Sequence, residues 1–494
     1  MSRGFLKRVQ DQRRLYHRMV AALLTSSSLV SQFGIMQTAQ AQTMAYCQLS
    51  NQAIAEKESL LLGALKGNKD SENRYKALIK QHADELRQCR SRTWPNDQAI
   101  WLRLYPCDVR SGAIDTILDR IVNRGYNQVY VEVFFDGQVL LPMADNPTAW
   151  PSAVRSPGTE NVDLLSQTIQ KGHERGLRVY AWMFTMNFGY SYAQRSDRQG
   201  VLARNGRGQT SLAVVKDGSQ VFVDPYSMQA KTDYYQLVQA VLKRRPDGIL
   251  FDYIRYPRGS GSESVASRVE DLWIYGDAAK QALYDRGLNN KGRELIARYI
   301  RKGSINASDL AAVKELYPEE GAPMWQGRTP PTGEDTVASV QWQLWQLSVA
   351  HAAQGVIDFL SIATLAAQRN GVKSGAVFFP DGNQVVGRGG YDSRLQPWEH
   401  FPRSIEWHPM SYGVCGNNSC IESLVKRVVD RASGETPVIP ALAGTWGRSV
   451  SNRPSLEVQM QGLRRIAPKI NGVSHFAYSW QDPQFDRDRK FCRL

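Results

Sequence analysis

The segment PDGILFDYIRYP (residues 246–257) decides the fold. A short apolar run between two prolines has the length of a buried strand and not of a helix. Its alternation puts Leu250 and Asp252 on one face and Ile249, Phe251 and Tyr253 on the other, with the acid standing where strand gives way to loop. Taken as a strand over 248–255, it has three counterparts before it (99–105, 128–135 and 178–188) and four after it (375–380, 404–412, 438–445 and 473–480). Helical patterns separate most of them, at 112–124, 163–175, 232–244, 340–369, 421–431 and 455–466. Strands alternating with helices make a parallel sheet, and eight repeats predict closure into a (β/α)8 TIM barrel of the α/β class. No glycine-rich dinucleotide fingerprint opens the first unit, which argues against an open nucleotide-binding sheet.

Around this body the sequence predicts three additions. Residues 1–41 read as an export signal: a basic stretch through Arg18, a moderately apolar run to Met36, and Ala39-Gln40-Ala41 as the small-x-small cleavage pattern near Ala41. Thr25, Ser26, Ser27, Ser28, Ser31 and Gln32 make that run too polar for a good membrane span, and no other apolar run is read as one. Residues 42–95 read as a helical hairpin broken at Gly67-Asn68, with Cys47 and Cys89 at its two outer ends, where an antiparallel pair would bring them together. The barrel then occupies 96–494, with an insertion of about 259–335 that carries polar helices around 270–285 and 310–316 and walls the catalytic face. All six cysteines follow the proposed cleavage site, so disulfides and a secreted or periplasmic location are expected; Cys415 and Cys420 suit a local loop closure.

Charge narrows the partners. The net charge is +14, but Arg3, Lys7, Arg8, Arg13, Arg14 and Arg18 against Asp11 lie in the leader. What remains is a mild attraction to acidic glycans, wall polymers or anionic lipid, and no lysine-rich block or zinc-finger spacing favours nucleic acid. No tight His/Asp ligand cluster appears, so no metal or cofactor is expected and metal-dependent deacetylation of a glycan is the weaker class. Stable membrane insertion after signal removal is not expected either.

An Asp at the end of an apolar strand is costly to bury for packing alone. Asp252 is therefore either functional or an ion-pair partner of Arg255 that orders the loop. Here the chain resembles glycosyl hydrolase-like family 10. Asp247 to Pro257 is similar to that family's fourth-strand signature, 129–137 with Leu141-Pro142 to its second strand, Phe222 to Pro225 to its Asp-Pro element, and Glu406 to Tyr412 to its sixth strand. The resemblance spans about 98–481 and implies a sugar-processing barrel with Asp252 as a prime catalytic candidate. At 133–135 this chain lacks the Arg that the family often carries before its Asp-Gly.

Glycosidic cleavage commonly uses two carboxyl groups across the scissile bond. Besides Asp252, the strand-end candidates are Glu132, Asp136, Asp381 and Glu406. Glu132 falls mid-strand inside the barrel, where Arg103 could neutralise it as a structural pair. Asp136 could bind substrate or cap a turn, and Asp381-Gly382 could be a turn alone. Glu406 and His408 share a face of strand six. For holding sugar the candidates are Arg255, His408, Tyr256, Trp182, Asn187, Tyr412, Trp446 and Trp480, since sugar rings stack on aromatic faces while their hydroxyls need polar partners. Two functions fit: a glycoside hydrolase acting on an extracytoplasmic oligo- or polysaccharide, or a non-catalytic glycan- or cell-wall-binding barrel.

Overall fold

The computed structural model describes residues 46–215 and 217–493, so the export signal read over 1–41 lies outside the described residues. Eight parallel strands form the body: β1 (Asp97–Leu102), β2 (Gln128–Phe135), β3 (Arg178–Phe184), β4 (Gly248–Asp252), β5 (Lys373–Phe378), β6 (Glu406–Pro409), β7 (Ala441–Ala443) and β8 (Gly472–Phe476). They pair in the order β6-β5-β4-β3-β2-β1-β8-β7. The remaining gap between β6 and β7 is bridged in parallel at Trp407–Val438 and Met410–Ala441. The sheet thus closes on itself as a TIM barrel.

Each strand alternates in and out because successive side chains point to opposite faces. The inward set is aromatic: Trp101 meets Tyr130 at 5.0 Å and Trp182 at 4.9 Å. So much ring volume fits because glycines face it. A Cβ on Gly248 would collide with the Tyr180 ring, and one on Gly375 would stand 2.8 Å from the His408 imidazole. Outside lie the helices α1 (Asn51–Leu65), α2 (Lys69–Arg90), α3 (Ala113–Asn123), α4 (Leu164–Glu174), α5 (Met228–Leu242), α6 (Val337–Arg369), α7 (Ser419–Val429), α8 (Leu456–Ile466) and α9 (Pro483–Lys490). From α3 onward they alternate with the strands, except between β5 and β6, where two short strands, Val385–Val386 and Gly390–Asp392, precede a 3-10 turn at Trp398–His400.

At 33 residues, α6 is long and apolar enough to cross a membrane by length and composition, which corrects the reading that no run beyond the leader qualifies. Here its apolar side, including Val340, Leu344, Val356 and Phe359, is buried in the barrel core. The insertion after β4 holds three helices, Asp277–Tyr284, Asn290–Lys302 and Ala307–Leu316. The middle one escaped the sequence reading, although Leu295, Ile296, Tyr299 and Ile300 form its buried stripe and Asn289 caps it. Asp224, from the Asp-Pro element, holds this insertion in place by accepting from the Ala279 N–H at 3.0 Å.

Helices α1 and α2 pack on each other across the turn 66–68, each opened by a side-chain cap, Ser50 and Asn68. Cys47 and Cys89 are joined, as are Cys107 with Cys492 and Cys415 with Cys420. Three disulfides are the mark of a chain that folds in an oxidising compartment. The first closes a loop of sequence separation 42. Replacing both sulfurs (Cys47→Ser with Cys89→Ser) is expected to lower stability by about 3–4 kcal/mol, read from the urea midpoint under non-reducing conditions. An unchanged midpoint would mean the hairpin holds by its side-chain contacts alone.

Candidate active site

The C-terminal ends of β2, β3 and β4 bring three carboxyl groups, Glu132, Asp136 and Asp252, within electrostatic reach of one another. Asp252 is the last residue of β4 and is only 6% exposed. Its carboxylate accepts from the Tyr253 N–H at 2.6 Å and from the Trp182 indole N–H at 3.1 Å. Burial pushes its pKa up to about 6, against the pull of those two bonds and of the Arg255 charge. Arg255 makes no ion pair with it: the guanidinium donates to the Tyr256 carbonyl at 2.9 Å and lies over the Tyr253 ring at 4.5 Å. The loop-ordering Asp252–Arg255 pair weighed above is therefore not formed.

Glu132, one strand beyond Trp182, is fully buried and held by both arms of the Arg103 fork, the Nη2 bond being 2.8 Å. Burial nevertheless pushes its pKa up to about 7; Arg103 opposes the shift, and the charges of Asp136 and Asp252 add to it. Asp136 stands in the turn after β2, at a left-handed φ of 46°, and is half-buried. The Ser219 hydroxyl lies 3.1 Å from its Oδ1 and 2.6 Å from Asp217 Oδ1, so the two carboxylates share its one proton, and Asp136 Oδ2 makes no hydrogen bond among the described residues. Tyr253 joins the three acids. Its phenol is pushed up to about 12, first by burial, with Asp252, Asp136 and Glu132 adding and Arg255 opposing. Its φ of 52° turns the chain sharply out of β4 and lays its ring on Phe184 at 4.1 Å. Trp182, Phe476 and Tyr412 continue the aromatic lining, with Phe476 at 6.2 Å from Trp182 and 5.5 Å from Tyr412.

Seven of the sequence candidates lie outside this cluster of acids. Glu406 begins β6, in register with Gly375 and so with Leu250, two residues below Asp252 along the strands. It contacts His408 (3.2 Å) and the Tyr180 hydroxyl (3.3 Å) near the N-terminal end. Burial raises its pKa, but His408 and Lys373 outweigh that and hold it lowered, a structural acid. His408 is fully buried beneath, its ring edge-on to Tyr130. Tyr256 is fully buried against α6, where its hydroxyl donates to the Ala352 carbonyl at 3.3 Å. Asn187 is likewise buried, its Oδ1 accepting from the Gly189 and Val221 N–H groups to pin two loops. Trp446 turns outside the barrel, donating to the Tyr126 hydroxyl at 3.2 Å with its ring against Tyr46 and His475. Trp480 is half-buried at the rim, linked to Tyr412 through Arg453, which lies 6.0 Å over its ring and donates to the Tyr412 carbonyl. Asp381 pairs with Arg394 at 3.2 Å. The sequence reading gave no role to Ser219 or Phe476; no pattern in the loop before 220 signals that a serine will reach Asp136.

The Trp182 bond yields a direct test of this geometry. A donor to the ionised carboxylate lowers its pKa, so Trp182→Phe is expected to raise the pKa of Asp252 above its present value by about one unit. A carbon-13 NMR titration of the aspartate carboxyls reads this without any substrate. A pKa that falls or stays fixed would show that the indole does not support the charge.

Against known proteins, the chain is 24% identical over 272 residues to Glycosyl hydrolase DigH of Escherichia coli O6:H1, a stretch that is 51% of this chain and 57% of that relative. The chain thus matches a little over half the length of this curated relative. Among solved structures, the glycoside hydrolase domain of PgaB (BpsB) from Bordetella bronchiseptica is similar, with 14% identity over 80% of this chain and 99% of that one and a TM-score of 0.46. So is the beta-galactosidase of the psychrophilic Marinomonas ef1, at 11% identity over 77% and 54% with a TM-score of 0.43. The stretch that holds β1 to β4, Asp252 and the first half of the insertion, residues 96–297, matches the model of the family described as Glycosyl hydrolase-like 10, in agreement with the resemblance read from the sequence.

Proposed function

We propose that this chain is an exported glycoside hydrolase that cleaves an extracytoplasmic oligo- or polysaccharide with two carboxyl groups. The observation that carries the reading is Asp252: an acid at the catalytic end of a barrel strand, its pKa pushed up to about 6 and free of any ion pair. An acid so tuned keeps a useful protonated fraction near neutral pH and can protonate a leaving glycosidic oxygen. For the second carboxyl we choose Asp136 over Glu132. Glu132 is sealed and engaged by Arg103, whereas Asp136 is partly open and has an oxygen to spare. Glu132 with Arg103 then shapes the field beneath the mouth. Trp182 and Tyr412 offer ring faces for sugar, and Arg255 backs the Tyr253 turn. In this reading residues 1–41 are the export signal, 42–95 the hairpin and 96–494 the barrel with its insertion of about 259–335.

The test is reducing-end release from a panel of bacterial and plant polysaccharides by the wild-type protein, Asp252→Asn and Asp136→Asn. Release by the wild type that both substitutions abolish supports the pair. Release that survives Asp136→Asn but not Glu132→Gln exchanges the second acid. Binding of a polymer without release by the wild type favours the non-catalytic glycan-binding barrel.

A further inference from the structure

Outside the mouth, the barrel flank between the hairpin, α3 and the loops after β7 and β8 holds a cleft of about 520 Å³. Its chemistry is not that of a packing defect. Two half-buried indoles, Trp446 and Trp480, line it together with Arg120, Arg124 and Arg448. These three guanidinium groups outnumber the two lining carboxylates, Asp482 and Glu58. Asp482 takes Arg120 at 2.7 Å and Arg124 at 3.3 Å, and both arginines stay about a third exposed. Arg448 is exposed and its side chain makes no hydrogen bond or ion pair among the described residues. The wall behind them is unfinished: Arg120 Nε, Arg124 Nη1 and Asn123 Oδ1 are buried without a partner, and Asn123 is only 6% exposed. Orphaned donors and acceptors in one wall are costly, and such groups are retained where something occupies them.

Aromatic faces, surplus guanidinium donors and a lone amide acceptor together describe one kind of ligand. Indoles take the CH face of a pyranose, a carboxylate takes the forked arginine donors, and a hydroxyl serves Asn123. We propose that this cleft is an accessory binding site for an acidic sugar unit of the uronate type. It accounts for the positive charge that the mouth, rich in carboxylates, does not use. The choice of a sugar rests on the glycan reading of the barrel; the location and the sign of the charge do not.

The probe is hexagalacturonate, titrated calorimetrically into the full chain, with neutral cellohexaose as the control. Hexagalacturonate is expected to bind, and Arg448→Gln and Trp480→Ala are each expected to weaken it about tenfold, the loss of one charged bond or one ring face. Asp252→Asn should leave this affinity unchanged, and cellohexaose should bind at least about tenfold more weakly. Arg448 is exposed and unpaired, so its replacement does not endanger the fold. No binding by the wild type, or equal binding by both cleft variants, overturns the inference, as does cellohexaose binding as tightly. Loss in Asp252→Asn alone places the ligand in the mouth, which overturns the accessory site and leaves the hydrolase reading standing. Absence of reducing-end release with intact cleft binding removes the hydrolase reading and not this one.

Discussion

Asp252→Asn is expected to lower the rate of glycosidic cleavage on the order of a thousandfold, as loss of a general acid does, and to make the protein more stable at neutral pH. The two effects share one cause. Asp252 is buried beneath Trp182 and Tyr253, so ionising it costs free energy. The sign follows from linkage. The folded pKa is about 6, above the ordinary 3.8, so the native state binds the proton more tightly than the unfolded chain between those values. Stability therefore falls as pH rises from about 4 through about 6. A shift of about two units amounts to at most about 3 kcal/mol at pH 7 and above. Asn carries no such penalty and still accepts from the Tyr253 N–H. Urea unfolding of both proteins at pH 4 and at pH 7.5 should show similar midpoints at the lower pH and a higher midpoint for Asn at the upper one. A variant that is less stable at pH 7.5 would mean the carboxylate is there to hold the loop.

The largest loss of stability is expected at Arg175, far from that mouth. This side chain is 1% exposed at the end of α4, and its Nε donates to Asp119 at 2.8 Å, its Nη2 to Asp115 at 3.0 Å and to the Tyr75 hydroxyl at 2.6 Å. Tyr75 in turn donates to Asp119 at 2.7 Å. One guanidinium thus ties α2 of the hairpin to α3 and α4 of the barrel. Arg175→Met keeps the bulk but leaves Asp119 without a charged partner where little water reaches it, while Asp115 keeps Lys171 at 2.6 Å, and removing one partner of such a network typically costs about 3–5 kcal/mol. The urea midpoint should fall accordingly. Repeating the substitution in an Asp119→Asn background should recover part of the loss, because the unpaired charge is then gone. No recovery would assign the cost to packing instead.

What the sequence makes legible is periodicity. Eight apolar runs separated by helical stripes are enough for closure, and parity alone puts Leu250 and Asp252 inside the barrel. Parity does not give height. Glu406 and His408 share an inward face, as expected, but β6 begins at Glu406, so that acid sits low in the barrel and not at its mouth. Directions beyond strand ends are equally hidden. Tyr256 and Trp446 both follow strands, yet one folds back under α6 and the other over the outer face of β8, choices made by packing partners such as Ala352, Tyr126 and His475. The three cysteine pairs were only partly readable: Cys47 with Cys89 follows from hairpin geometry, whereas Cys107 with Cys492 requires knowing that the first and last strands are neighbours.

That last bond changes what kind of object the barrel is. Cys107 follows β1, Cys492 follows α9, and Arg489 beside it is clasped by Asp108 at 2.6 Å. Between residues 107 and 492 the backbone is a covalent hoop containing seven of the eight strands and the whole insertion. A hoop has no free end to fray: the terminal strand cannot peel away from its neighbour without carrying the seam with it. Cut once, by a protease working on the long insertion loop, it becomes an open string still joined at the clasp, so no fragment can drift off. A single cut there need not be fatal to the fold.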